Sequence, residues 1–171
     1  LFHRLRESGE EVVVSASHRS ADLGYLASLS REIRRFGPGL VHAHLLGSGV
    51  YGSLAARTAG GVPVVTTFHG TPDVDPDDSL LWLKGRILRR SRNRIVYVSA
   101  NLRAYLEPLL RLPARLGRVI HNGIIHVERS PRSPLREELG LGAEHIIVGA
   151  VGNLRPAKDY PNLLAAAQIA R

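Results

Sequence analysis

Apolar positions along this chain alternate between two periods. Short, largely apolar runs at residues 12–14, 40–45, 62–68, 95–98, 119–120 and 146–151 have the length of strands buried in a parallel sheet. Between them the apolar positions recur at helical spacing. Leu23, Leu26, Leu29, Ile33 and Phe36 share one helix face, with Asp22 as N-cap and Gly37-Pro38-Gly39 as the stop. Further helices are predicted over 48–59, where most side chains are small, over 80–90, over 101–110 with Pro108 inside, and over 135–139. A last helix starts near Pro161, with proline in its first turn. Residues 1–8 read as the closing turns of a helix with Gly9 as C-cap, and residues 70–78 as a polar loop.

Strands that alternate with helices predict βα units, and so an α/β fold with a parallel sheet covered on both faces. The segment 128–134, rich in proline and charge, reads as a linker. It divides the chain into residues 1–130, one α/β domain, and residues 131–171, one strand and part of one helix of a second domain. No internal repeat is visible.

Composition narrows the class. Of the 171 residues 44% are hydrophobic and 22% charged, enough for a real core and not the signature of disorder. No apolar run approaches the ~20 residues of a membrane span. With no Cys, a disulfide or thiolate metal site is impossible, which is compatible with a reducing cytosol. With no Met, position 1 included, the chain reads as a fragment or a processed product. The net charge of +8 calls for an acidic partner: nucleic acid, anionic lipid or a phosphorylated small molecule.

The candidate chemistry starts in the stretch 148–159, which reads as a strand, a turn with Gly152, then basic groups ahead of a helix. A helix N-terminus offers free N–H groups to phosphate, and Lys158 adds a full charge there. Lys158 and Lys84 are the only lysines among 23 basic residues. The alternative is a solvated loop lysine; the order strand, turn, lysine, helix favours a diphosphate site.

Gly47-Ser48-Gly49-Val50-Tyr51-Gly52 formally matches the dinucleotide fingerprint G-x-G-x-x-G. The next strand ends Thr67-Phe68-His69-Gly70, without the acid that would hold a ribose. Close helix–strand packing through small residues is the preferred reading. His42 and His44 fall on one face of a strand, and His69 and His121 at strand ends. A zinc site needs three or four converging ligands, and no Asp or Glu sits at these ends. Polar lining of a cleft at the carboxyl edge of the sheet is preferred, the edge where open α/β sheets bind ligands. His69, followed by Gly70, reads equally as a ligand contact or as a histidine capped by backbone carbonyls. On the helix from Leu80, Trp82, Arg86, Arg89 and Arg90 face away from the leucines. That face suits either solvent or an anionic membrane.

Taken together these segments resemble family 4 of the GT-B glycosyltransferases, retaining enzymes that use nucleotide sugars. Leu40-Val41-His42-Ala43-His44 is similar to the family's D-x-V-H-x-H strand, with Gly39 where an acid is common. Pro63-Val64-Val65-Thr66-Thr67-Phe68-His69-Gly70 is similar to its P-V-V-x-T-x-H-G. Val96-Tyr97-Val98-Ser99 resembles the strand that leads into the last helices of the first domain. Val119-Ile120-His121-Asn122-Gly123-Ile124 is similar to V-I-P-N-G-I, and 149–158 to V-G-R-L-x-x-x-K-G. The ordered set is more specific than any one piece.

The resemblance implies two Rossmann-like domains, a UDP- or GDP-sugar as donor, and a glycan, lipid-linked or small-molecule acceptor. It implies no resident cofactor and no metal. His69 becomes the active-site histidine that meets the sugar or the acceptor. Lys158 holds the donor diphosphate, with Arg155, Asn153 and Gly152 beside it. Asn153 stands at the family's arginine position, Arg155 is the candidate replacement, and Asp159 stands at the motif's final glycine. His44, Thr67, Gly70, Ser99, Asn122 and Gly123 line the cleft. The family's first strand with its glycine loop is expected before Leu1, and its acidic E-x7-E segment beyond Arg171, so residues 1–171 alone are expected not to transfer sugar. Cell-envelope polysaccharide synthesis in the cytoplasm, at the inner face of the membrane, is the expected setting. Two other classes stay open: a basic module that binds nucleic acid through Arg86, Arg89, Arg90, Arg92 and Arg94, and a nicotinamide-dependent oxidoreductase built on the Gly47 loop. Aromatic content of 5% provides no evident stacking platform for the first.

Overall fold

The computed structural model describes residues 7–15, 17, 21–90, 92–126 and 134–170. The chain divides into two units, Leu1–Ile124 and Ile125–Arg171.

In the first unit, helix α1 (Leu23–Phe36) starts where Asp22 Oδ1 accepts from Tyr25 N at 2.9 Å. It stops at Gly37, whose φ of 63° is the left-handed conformation a C-cap glycine adopts without strain. Strand β1 (Val41–His44) leads into α2 (Leu45–Thr58), β2 (Val64–Phe68), α3 (Leu81–Arg90), β3 (Asn93–Tyr97), α4 (Ala100–Leu109) and β4 (Gly117–Val119). The four strands form one parallel sheet in chain order, with Val41 beside Val64, Val64 beside Asn93 and Ile95 beside Gly117.

Each new strand adds to the same edge. Right-handed crossovers then put the connecting helices on a single face. The burial follows: Ala43, Val64, Thr66, Phe68, Asn93, Ile95 and Tyr97 are buried toward the helices. His42, His44, Arg94 and Arg118, on the other face, are exposed, and Thr67 on that face is buried. Within this unit's described residues the helices cover one face, where the βα alternation predicted two. Alternation fixes that a crossover helix exists, and strand order decides its side.

The core has two clusters. Leu46, Phe68, Leu81, Leu88, Ile95, Tyr97, Leu102, Leu106 and Leu110 join α2, α3 and α4 to the sheet, while Ile33, Ala43, Ala55, Ala56 and Val64 join α1 and α2 to β1 and β2. Each fully buried apolar side chain here contributes about 1.5–3 kcal/mol. Small residues set the spacing. A Cβ at Gly49 would lie 2.6 Å from Thr66 Cγ2, and one at Gly85 would strike the Leu110 carbonyl. Asn93, fully buried, is satisfied by Ser53 Oγ and by donating to Leu88 O at 2.9 Å.

Two predicted strands do not form. Residues 12–14 are irregular, with Val14 67% exposed. β1 pairs with β2 and with no other strand among the described residues, so the run has no ladder to join. In the second unit, 146–151 is likewise irregular and Val148 is 81% exposed. Among its described residues that unit holds α5 (Pro134–Glu138), a 3-10 turn at Pro156–Lys158 and α6 (Tyr160–Ile169). Of the predicted linker, 128–133 lies outside the described residues, as do residues 1–6 of the first predicted helix.

Candidate active site

Parallel strands bring their carboxyl ends to one edge. His44 closes β1, His69-Gly70 follow β2, Ser99 follows β3, and His121-Asn122-Gly123 follow β4. His44 lies beside Thr67 in the register, which sets His69 just past the end of β1. The two rings meet: His44 Nδ1 and His69 Nε2 are 2.8 Å apart, with centroids at 5.1 Å and planes 18° from parallel. His42 stands 4.3 Å from His44 between ring centroids, and its Nε2 bonds Thr67 Oγ1 at 2.9 Å. Partial burial, then the neighbouring His42 and His69, push the His44 pKa below the usual imidazole value and favour a neutral ring.

The backbone around these rings is fixed. The Asp73 carboxylate accepts from His69 N at 2.6 Å and Gly70 N at 3.0 Å, anchoring the start of the loop. Asp73 escaped the sequence reading, which saw only a polar loop. Its signal was the Thr71-Pro72-Asp73 turn, where an acidic third residue reaches back to amides just ahead of the turn. Leu45, directly after His44, has φ of 72°, a left-handed conformation that costs a leucine roughly 1–2 kcal/mol.

The remaining residues sit farther along the edge. Ser99 Oγ accepts from Leu102 N at 3.1 Å and caps α4. His121 Nδ1 lies 3.2 Å from Val98 O. Asn122 and Gly123 are exposed.

In the second unit, the 3-10 turn carries Lys158 to a point two residues ahead of Tyr160, the first residue of α6. Lys158 N donates to Arg155 O and Arg155 N to Asn153 O, each at 2.9 Å. A Cβ at Gly152 would lie 2.9 Å from Tyr160 Oη and 3.9 Å from Lys158 Cδ and Cε, so Gly152 adjoins the lysine stem. Asn153, Arg155 and Lys158 are exposed. Asp159 has φ of 47°, the conformation for which glycine is best suited.

The family model for Glycosyltransferase Family 4 matches residues 2–128, about three-quarters of the chain. The chain belongs to glycosyltransferase family 4. The match spans the whole sheet, with His44, Thr67, His69, Gly70, Ser99, Asn122 and Gly123, and stops before Gly152. No curated protein matches the chain.

In this family 4 glycosyltransferase Gly49 and Gly52 face β2 and β1, with a Cβ at Gly52 3.6 Å from that of Ala43. That is the close-packing role preferred from the sequence. Among the described side chains of the nucleic-acid reading, Arg94 lies apart from the two arginines on α3. Arg86 is exposed on α3, Arg89 donates to Arg111 O at 3.0 Å, and Arg94 lies on the opposite face of the sheet. The Arg90 side chain lies outside the description. No group of three or more His, Cys, Asp or Glu among the described residues is arranged to hold a metal ion. Among them, no helix is long and apolar enough to cross a membrane.

Proposed function

We propose that this family 4 glycosyltransferase is a retaining GT-B enzyme. It takes a hexosyl or N-acetylhexosaminyl group from a UDP- or GDP-sugar and passes it to a glycan, lipid-linked or small-molecule acceptor. The convergence of His44, Thr67, His69 and Gly70 on one sheet edge, in a chain of this family, is the observation that carries this reading. His69 is assigned the sugar or acceptor hydroxyls, because imidazole donates to and accepts from neutral hydroxyls alike. Lys158, with Arg155, Asn153 and Gly152, is assigned the donor diphosphate. Loss of the nucleoside diphosphate from the anomeric carbon builds charge on the phosphate. Fixed cations of the chain stabilise that charge without reorganising, so the reading assigns no step to a metal or cofactor.

The expected setting is the cytoplasmic face of a membrane. Support comes from α3, where Trp82 is 55% exposed and Arg86 stands one turn away.

The test is a titration with a UDP-hexose, a GDP-hexose, NADH and a short DNA duplex. One of the nucleotide sugars should bind saturably, and Lys158→Ala should weaken it about ten- to a hundredfold, from ~1.5–3 kcal/mol per charged hydrogen bond. Preference for NADH, or for DNA with a steep salt dependence, would overturn the reading. Unchanged sugar-nucleotide affinity in Lys158→Ala would remove the diphosphate assignment.

A further inference from the structure

We infer that His44 is a positioning residue for His69: the proton between their rings decides whether His69 Nδ1 offers a donor or an acceptor to a bound hydroxyl. The inference rests on the assignment of His69 to the sugar or acceptor.

The argument is one of proton counting. A neutral imidazole carries one N–H and one bare nitrogen. The facing atoms, His44 Nδ1 and His69 Nε2, are 2.8 Å apart, a distance that requires one donor and one acceptor. If His44 Nδ1 carries the proton, His69 Nε2 is bare and His69 Nδ1 must be the N–H, so His69 donates outward and His44 Nε2 accepts. If His69 Nε2 carries it, His69 Nδ1 is bare and accepts, while His44 Nε2 donates. Mixed arrangements put two hydrogens or two lone pairs in the gap. The rings therefore hold the same tautomer at every moment, both Nδ1–H or both Nε2–H. The pair always shows one outward donor and one outward acceptor, at opposite ends. A sugar hydroxyl, which can donate or accept, suits either state, and binding at one ring sets the other.

The surroundings hold this geometry. His69 and Gly70 amides are both tied to Asp73, and the His42 ring, bonded to Thr67, stands against His44. The left-handed Leu45 follows directly on His44. Backbone strain of this kind persists only where its surroundings over-determine it, and it gathers at functional sites.

The test uses long-range 1H–15N spectra of the full 171-residue chain, which report the Nδ1–H and Nε2–H fractions of each ring. With both rings neutral, the Nδ1–H fractions of His44 and His69 should be equal, and a coupling should connect His44 Nδ1 with His69 Nε2 across the hydrogen bond. A saturating UDP- or GDP-hexose should shift both fractions together. His44→Phe should change the His69 fraction, and His44→Asn, whose amide can stand at the Nδ1 position, should restore a partner. Unequal fractions in the wild type, or a His69 fraction unmoved in a folded His44→Phe, would overturn the positioning role. If neither variant folds, the wild-type coupling decides alone, and its absence overturns the role. Coupled rings that ignore every nucleotide sugar would instead overturn the assignment of His69 to substrate and leave the pair intact.

Discussion

Gly49→Ala separates a packing glycine from a ligand-loop glycine. The new Cβ would stand 2.6 Å from Thr66 Cγ2, 2.9 Å from Oγ1 and 3.3 Å from Cβ. Thr66 has no easy retreat. It is fully buried in β2, a strand bonded on both sides, and its β-branched side chain is stiff at χ1. Helix α2 must therefore shift away from the sheet. Overpacking of this kind costs about 1–3 kcal/mol, and a rigid neighbour on a central strand puts the cost near the upper end. Alanine in a helix interior regains about 1 kcal/mol over glycine. The net expectation is a loss of about 2 kcal/mol, which at a slope of ~2 kcal/mol per molar lowers a urea midpoint by about 1 M. Thr66→Ala opens the space. The Thr66 hydroxyl is buried with no hydrogen-bond partner among the described residues, so its removal forfeits little beyond one methyl group. The double variant should recover most of the loss, a coupling of about 2 kcal/mol between touching residues. A Gly49→Ala protein as stable as the wild type, or more stable, would refute this reasoning, as would a Thr66→Ala change that rescues nothing.

Three further outcomes are expected. Tyr97 Oη is buried with no hydrogen-bond partner among the described residues, and burial, then Glu107, push its pKa upward. Tyr97→Phe should therefore leave the urea midpoint unchanged or raise stability by up to about 1 kcal/mol, and a clear loss would reveal a hidden partner. Lys84, then the Leu80 amide, hold the Asp78 carboxyl below the usual carboxylate range. A depressed folded value contributes stability that is present above the unfolded value and lost as the pH falls through the folded one. Lys84→Met should thus flatten the acid limb of the stability profile below about pH 4, and an unchanged limb in urea melts from pH 2 to 6 would contradict the pairing. If Trp82 meets lipid, the chain should sediment with anionic vesicles, and Trp82→Ala should weaken that binding beyond any charge effect; equal binding by the variant leaves Trp82 to solvent.

The first unit was legible wherever punctuation and period agreed. Asp22, the spaced leucines and Gly37 delimit α1 to within a residue, because cap chemistry and apolar spacing are local. The α2 boundary was not local. The sequence reading starts that helix at Ser48, while the structure starts it at Leu45 in a left-handed conformation, at a cost no composition displays. The site divides the same way. His44 and His69 were both readable as strand-end histidines, but their contact joins residues 25 apart in sequence and depends on the β1–β2 register. Asp73 was passed over because its work is done through backbone amides, which carry no residue identity.

The missed strands show what an apolar run does and does not encode. Ile95-Val96 and Ile146-Ile147-Val148 are nearly the same in composition, yet Ile95 is fully buried and Ile146 is 91% exposed. Strand β3 lies between β2 and β4, which satisfy its amides and carbonyls on both sides and bring α3 and α4 over one face. Residues 146–148 have no neighbouring strand among the described residues. A backbone segment without a ladder keeps its hydrogen bonds with water, and burying it would cost about 1–3 kcal/mol for each group left unpaired. Hydrophobicity of three residues cannot outweigh several such groups. The run therefore states what the segment would bury if a strand were offered beside it, and the offer comes from elsewhere in the fold. The same reasoning accounts for Val12-Val13-Val14, which has the β-branched composition of a strand and stays irregular.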